Sequence, residues 1–234
     1  ALNAAEALQL LDLPKDRLVA EGFMVRSHPQ WIRARDIVRS GELGELRAIQ
    51  SFFSYFNADP GNIRNKADIG GGALLDIGCY PIVAGRYFFE GEPSRVFSMI
   101  DRDPELGTDR LASAVLDFGS GRRLDFTVST QLVPYQRLHL CGTKKRLEIV
   151  IPYNAPQGDA TILQIDDGSV LGGAAARSET VAESDQYGEL ADTFGRAILG
   201  ETDLPYGPAD AVQNMAILDA LFASEKRDGW VSVG

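Results

Sequence analysis

A series of short segments in this chain alternates apolar and polar residues with a period of two, and no other feature limits the fold as strongly. Leu124, Phe126 and Val128 alternate with Arg123, Asp125, Thr127 and Ser129, and Leu147, Ile149 and Ile151 alternate with Arg146 and Glu148. Successive strand side chains point to opposite faces, so each segment makes one dry face and one polar face. Leu46 to Phe56, Arg95 to Asp101, Leu111 to Phe118, Gln136 to Cys141 and Thr161 to Asp166 add further strands. Most of the turns between them are short, which implies antiparallel neighbours. The expected fold is α+β: a large, open, mainly antiparallel sheet with helices on one face.

Helical spacing supplies the covering layer. In HPQWIRARDIVRSGELG, Trp31, Ala34, Ile37 and Val38 share a face and Gly41 is the candidate C-cap. Ser184 is the candidate N-cap of a helix with Tyr187, Leu190, Ala191, Phe194 and Ile198 on one side and Gly200 as its stop. A last helix starts at Pro208, turns Ala211, Met215, Leu218 and Phe222 inward, and ends with Lys226, Arg227 and Gly229. Residues 152–183, rich in Gly and Ala, are the least readable part.

The first 25 residues follow a different grammar. Asn3 and Glu6 resemble a capping box, Ala4, Leu8 and Leu11 share a helical face, and Pro14 ends it. The apolar run RLVAEGFMV (Arg17 to Val25) reads as a strand buried on both faces, the habit of a parallel sheet. No other helix–strand unit accompanies it. The expectation is that residues 1–25 are the end of a truncated α/β domain and that 26–234 form a second domain.

A net charge of −10 with no basic stripe argues against nucleic-acid binding, because phosphate contacts need clustered Lys and Arg. The one basic run, Lys144-Lys145-Arg146, reads as a solvated hairpin turn. Nothing approaches about 18 consecutive apolar residues, so no membrane association is expected, and a cytoplasmic location is. Cys79 and Cys141 read as two buried thiols, and with His28 and His139 they are too scattered for a recognisable metal site. A wide sheet with one uncovered face invites back-to-back pairing, so a homodimer is expected.

The segment DIGGGALLDIGCYPIVAGRYF (Asp68 to Phe88) holds the candidate chemistry. If Ala73 to Phe89 is helical, Asp76 and Tyr80 share a face one turn apart, and Pro81 kinks the helix with Gly78 easing the bend. A phosphate cradle is disfavoured, because neither glycine-rich phosphate motif occurs. Plain structure remains open: a tight glycine turn, a helix-face acid and a half-buried aromatic. So does acid–base work by Tyr80, with Asp76 holding a substrate hydroxyl; a phenol of ordinary pKa about 10 then needs a nearby cation. Nucleophilic catalysis lacks an activated Ser or Cys.

The stretches ALNAAEA at Ala1, AEGFMVRSHPQW at Ala20, FNADPGNIRNKADIGGGALLDIGCYPI at Phe56 and LHLCGTKKRLEI at Leu138 together resemble the glucose–fructose oxidoreductase/inositol dehydrogenase (Gfo/Idh/MocA) family. The hairpin motif departs from the family pattern, with Lys145 where a glycine is common. The resemblance implies an N-terminal Rossmann domain followed by an α+β domain on an open sheet, and an NAD or NADP cofactor in the full-length protein. It implies that Tyr80 is the proton donor or acceptor, that Asp76 helps position substrate, and that a lysine lying before Ala1 biases the phenol toward ionisation. Many relatives carry histidine at the position of Tyr80, and the tyrosine form is most similar to the aldose and dihydrodiol dehydrogenases. By the same resemblance Asn62, Arg64 and Asn65 border substrate and nicotinamide, while Arg26 and His28 face the cleft; read alone, Arg64 is a loop ion-pair partner and His28 a cap or packing residue.

Two functions follow as expectations. One is the substrate-binding and dimerisation part of an NAD(P)-dependent dehydrogenase acting on a sugar, polyol or diol, inactive as this stretch alone. The other is a non-catalytic oligomerisation or ligand-binding module of the same fold.

Overall fold

The computed structural model describes residues 1–14 and 16–234. Its centre is a sheet of nine strands: β1 (Leu46–Phe56), β2 (Arg95–Arg102), β3 (Asp109–Asp117), β4 (Arg123–Ser129), β5 (Gln131–Gly142), β6 (Arg146–Ile149), β7 (Thr161–Asp166), β8 (Arg177–Val181) and β9 (Val231–Ser232). The order across the sheet is β8-β7-β6-β5-β1-β4-β3-β2-β9. Every neighbouring pair is antiparallel except β1 and β4, which run parallel at the centre with Ile49 opposite Leu124 and Phe53 opposite Val128. The seven strands expected for the open sheet all form, as β1 to β7; β8 and β9 are additions at the two edges.

The period-two pattern sorts the faces as expected. Ile49, Phe53, Leu124, Phe126, Val128, Leu116, Leu140 and Leu147 are buried on the inner face. Against it pack α2 (Pro29–Arg39), α3 (Cys79–Phe89) and α5 (Pro208–Arg227). Trp31 is fully buried where α2 meets α3: its ring lies 5.3 Å from Tyr87 and 5.2 Å from Phe88, and its indole N–H donates to the Pro152 carbonyl at 2.7 Å. By length and hydropathy Ala67–Phe89 would pass for a membrane span, yet 56% of its most apolar window is buried inside the protein, the mark of a core helix. The cysteines are free thiols.

Two local expectations fail. Arg17 to Val25 forms no strand: residues 17–23 have no regular structure and Met24–Ser27 make a 3-10 turn. A strand needs a partner for its amides, and none of the nine pairs with this run. Phe23, Met24 and Val25 are instead buried in the core as a compact turn. The helix before it does form, as α1 (Ala4–Leu8) capped by the Asn3 side chain on the Glu6 amide. The other failure is at α4 (Gln186–Ile198). Its cap is Asp185, not Ser184, and its apolar face is only partly covered, with Tyr187 54% and Ile198 63% exposed while Leu190 and Phe194 are half-buried.

Candidate active site

Beyond β1 the chain makes a loop that Asn65 ties together. This buried side chain donates through Nδ2 to the Asn57 carbonyl (3.3 Å), the Asn57 side chain (3.2 Å) and the Asp59 carbonyl (2.8 Å). Asn62 caps the next 3-10 turn (Ile63–Asn65), accepting from the Arg64 amide at 3.0 Å. The three glycines then fold the loop back on itself. Gly71 and Gly72 donate to the carbonyls of Lys66 and Arg64, each at 2.8 Å. At Gly71 an added Cβ would lie 2.6 Å from the Arg64 carbonyl oxygen; at Gly72, φ is +121° and a Cβ would lie 1.9 Å from Asp109 Oδ1.

Asp109, at the start of β3, explains the tight fit. Its carboxylate accepts from the Leu74 amide at 2.6 Å, so it fills the helix N-terminus that an anion would otherwise favour. Burial pushes this carboxyl up to about 6, outweighing the amides that favour its charged form. The glycine turn is therefore a structural lock on β3.

The helix begins as a π-turn, Leu74–Gly78, before becoming α3. The Cys79 amide reaches back five residues to the Leu74 carbonyl. Pro81 has no N–H for Ile77 and its ring crowds that carbonyl, so the expected irregularity appears as a widened turn. Asp76 sits on this turn and Tyr80 just beyond it.

Both oxygens of Asp76 are engaged. Oδ2 accepts from the Tyr55 hydroxyl at 2.5 Å, and Oδ1 from Arg64 Nε at 3.0 Å. Burial, then the Asp76 contact, raises the Tyr55 phenol, which stays a proton donor. Tyr80 makes no hydrogen bond to Asp76. Its half-buried ring meets Phe23 edge-on at 5.3 Å and lies 6.0 Å from Phe53 and 5.7 Å from Tyr153. Among the described residues its hydroxyl has one partner, the Met24 thioether at 3.7 Å, a weak acceptor. Burial first, then the neighbouring Cys79, Tyr187, Asp76 and Glu21, raises the phenol above its ordinary value.

Asn62, Arg64, Asn65, Asp76 and Tyr80 thus gather on one loop and the helix it feeds. Arg26 and His28 are turned to other contacts. Arg26 is buried, ion-paired to Asp210 at 2.6 Å and laid over the Tyr206 ring at 4.0 Å. His28 is fully buried and caps α2, its Nδ1 accepting from the Gln30 amide at 3.0 Å, and burial lowers its pKa. Tyr55 and Asp109 are the residues that sequence reasoning missed. Tyr55 had a signal, since it lies two residues beyond Phe53 on the inner side of β1; Asp109 had none, because its partner is distant in sequence.

Comparison with known proteins agrees with this architecture. Residues 31–148 match the model of the GFO/IDH/MocA C-terminal domain. An uncharacterised oxidoreductase of Rhizobium meliloti is 43% identical over 236 residues, covering 100% of this chain and 70% of its own. The D-xylose 1-dehydrogenase (NADP+) 2 of Haloferax volcanii is 32% identical, covering 95% of this chain and 67% of its own. A solved 3-ketoreductase from Actinomadura kijaniata, in complex with NADP and TDP-benzene, has the same fold, with a TM-score of 0.87 at 23% identity over 96% of this chain and 68% of that one. The fold around the open sheet is thus that of the family's C-terminal domain. The chain belongs to the GFO/IDH/MocA family, and it spans about two thirds of the length of these relatives.

Proposed function

We propose that this chain is the substrate-binding part of an NAD(P)-dependent oxidoreductase that transfers hydride to or from a carbon of a sugar, polyol or diol. The observation that carries the reading is the Tyr80 hydroxyl, which leans on a sulfur and keeps its capacity for a substrate oxygen. Relatives named as xylose dehydrogenase and as reductases of TDP-linked sugars support the substrate class. The residues present fit such a partner: an aromatic wall of Phe23, Phe53 and Tyr153 surrounds the phenol, and an ion pair stands one turn away.

When bound, the nicotinamide supplies or takes the hydride. Tyr80, kept protonated by burial, donates its proton to the substrate oxygen during reduction and is left as phenolate, the form that takes the proton in the reverse reaction; in both directions a cation beside the phenol would hold that phenolate. Both oxygens of Asp76 are held by protein donors, Tyr55 and Arg64, and through that contact Asp76 orients Arg64 beside the substrate. That half-exposed guanidinium keeps N–H groups free for substrate hydroxyls. Residues 1–25 are assigned to the dinucleotide-binding side and 26–234 to the substrate side. Residues 1–234 alone are expected to be inactive, because Tyr80 faces only half of such a site. We also propose a homodimer through the uncovered sheet face, where Met99 is 69% and Tyr135 48% exposed.

In the enzyme joined to its dinucleotide-binding part, Tyr80→Phe should lower kcat by about 10²–10⁴-fold. The cofactor KM should stay within about threefold. Near-normal turnover would remove the assignment.

A further inference from the structure

A hollow of about 440 Å³ lies beside the C-terminal end of α3, away from Tyr80, and four arginines line it: Arg26, Arg35, Arg39 and Arg86. Three carboxylates share the lining, those of Glu90, Glu92 and Asp210. Arg26 pairs with Asp210, Arg86 with Glu92 and Asp210, and Arg39 with Glu90. Among the described residues Arg35 has no carboxylate within ion-pair distance; its guanidinium lies over the Tyr87 ring at 4.4 Å. One guanidinium is therefore left over, in a chain whose net charge is −10.

The hydrogen bonding is unbalanced in the same direction. Nε of Arg26, Nε of Arg35 and the Tyr87 hydroxyl are buried donors without acceptors, while both oxygens of Asp210, the one acid of the three that is not exposed, are taken by Arg26 and Arg86. Arg35 and Arg39 are four residues apart on α2, so two like charges stand on one helix face, an arrangement that disfavours the helix unless an anion lies between them. The Arg39–Glu90 pair is about half exposed on both sides, so it is weak and open to exchange.

The geometry points to a binding site for the phosphate group of a small hydroxylated molecule, held by Arg35 and Arg39 and backed by the charges of Arg26 and Arg86. Guanidinium forks match phosphate oxygens in pairs. The hollow exceeds the size of a bare phosphate, and Glu90 and Glu92 at its edge accept from hydroxyls on the remainder of the guest.

The test is a titration of the protein with inorganic phosphate at constant ionic strength, with chloride as the balance. Heat and unfolding temperature are read together. Wild type should saturate. Arg35→Met, which keeps the apolar stem on Tyr87, should weaken binding about tenfold or more, and Arg33→Met, on the same helix but outside the hollow, should leave it unchanged. Should Arg35→Met fail to fold, the exposed Arg39→Met takes its place. A hexose 6-phosphate that binds more tightly than phosphate assigns the ester as guest, whereas equal affinity assigns the free ion. A response no different from that to chloride, or equal affinity with and without the Arg35 charge, overturns the site.

Discussion

Asp109 accepts from the Leu74 amide while buried from water, and these two conditions oppose each other. The amide favours the charged carboxylate; burial disfavours it more and pushes the group up to about 6. An unfolded Asp titrates near about 4, so between about pH 4 and 6 the folded protein binds more protons than the unfolded one. The contribution of this group to stability is full below that window and is lost as pH rises through it. The stability difference between wild type and Asp109→Asn should therefore fall from pH 4 to 6 and flatten above, as measured by urea unfolding across pH. Asp76 answers to a different test. Asp76→Ala leaves the Tyr55 hydroxyl half-buried without its acceptor, and should cost about 1–3 kcal/mol; the Arg64 ion pair, half in water, adds little to that. If urea unfolding shows no loss, the Tyr55 contact does not hold the turn.

The glycine turn and the π-turn act as one element, because the loop must approach Asp109 and Arg64 more closely than any side chain permits. Gly72→Ala combines a left-handed φ with a Cβ that overlaps the Asp109 carboxylate. It should cost about 3 kcal/mol or more, read as a shift in the denaturation midpoint. An unchanged midpoint would mean that β3 and the helix are not locked here. Element patterns alone were an uneven guide. Pro81 and Gly78 signalled an irregular helix, and one is there; their chemistry is local. The apolar run at Arg17 to Val25 signalled a strand, but a strand exists only through a partner, and residues within the run do not reveal whether one is present. At α4 the amphipathic pattern gave the helix correctly, while the cover for Tyr187 and Ile198 is not within the described residues.

On the scale of the whole molecule, the inner sheet face is closed by α2, α3 and α5, and the outer face carries Phe97, Met99 and Tyr135 among polar neighbours. If this face pairs as proposed, Met99→Glu should shift the protein from dimer to monomer in sedimentation at tens of micromolar, with its unfolding midpoint nearly unchanged. Wild-type monomer at that concentration would exclude the pairing. Alternation along each strand made the sheet legible in advance, since a period of two follows from backbone geometry within a few residues. Residues 152–183 were opaque because Tyr153, fully buried against Trp31 and Phe53, belongs to no periodic pattern. The sequence by itself determined β1 to β7 and the last helices, which rest on spacing; it set Asp76 and Tyr80 on one face and left their role to the family resemblance. Only the tertiary structure decided that Asp76 meets Tyr55 and Arg64, that Asp109 fills the helix start, that Arg26 pairs with Asp210 and that His28 caps α2. All but the His28 cap depend on which distant group arrives beside a side chain, and contact between remote segments leaves no period in the sequence.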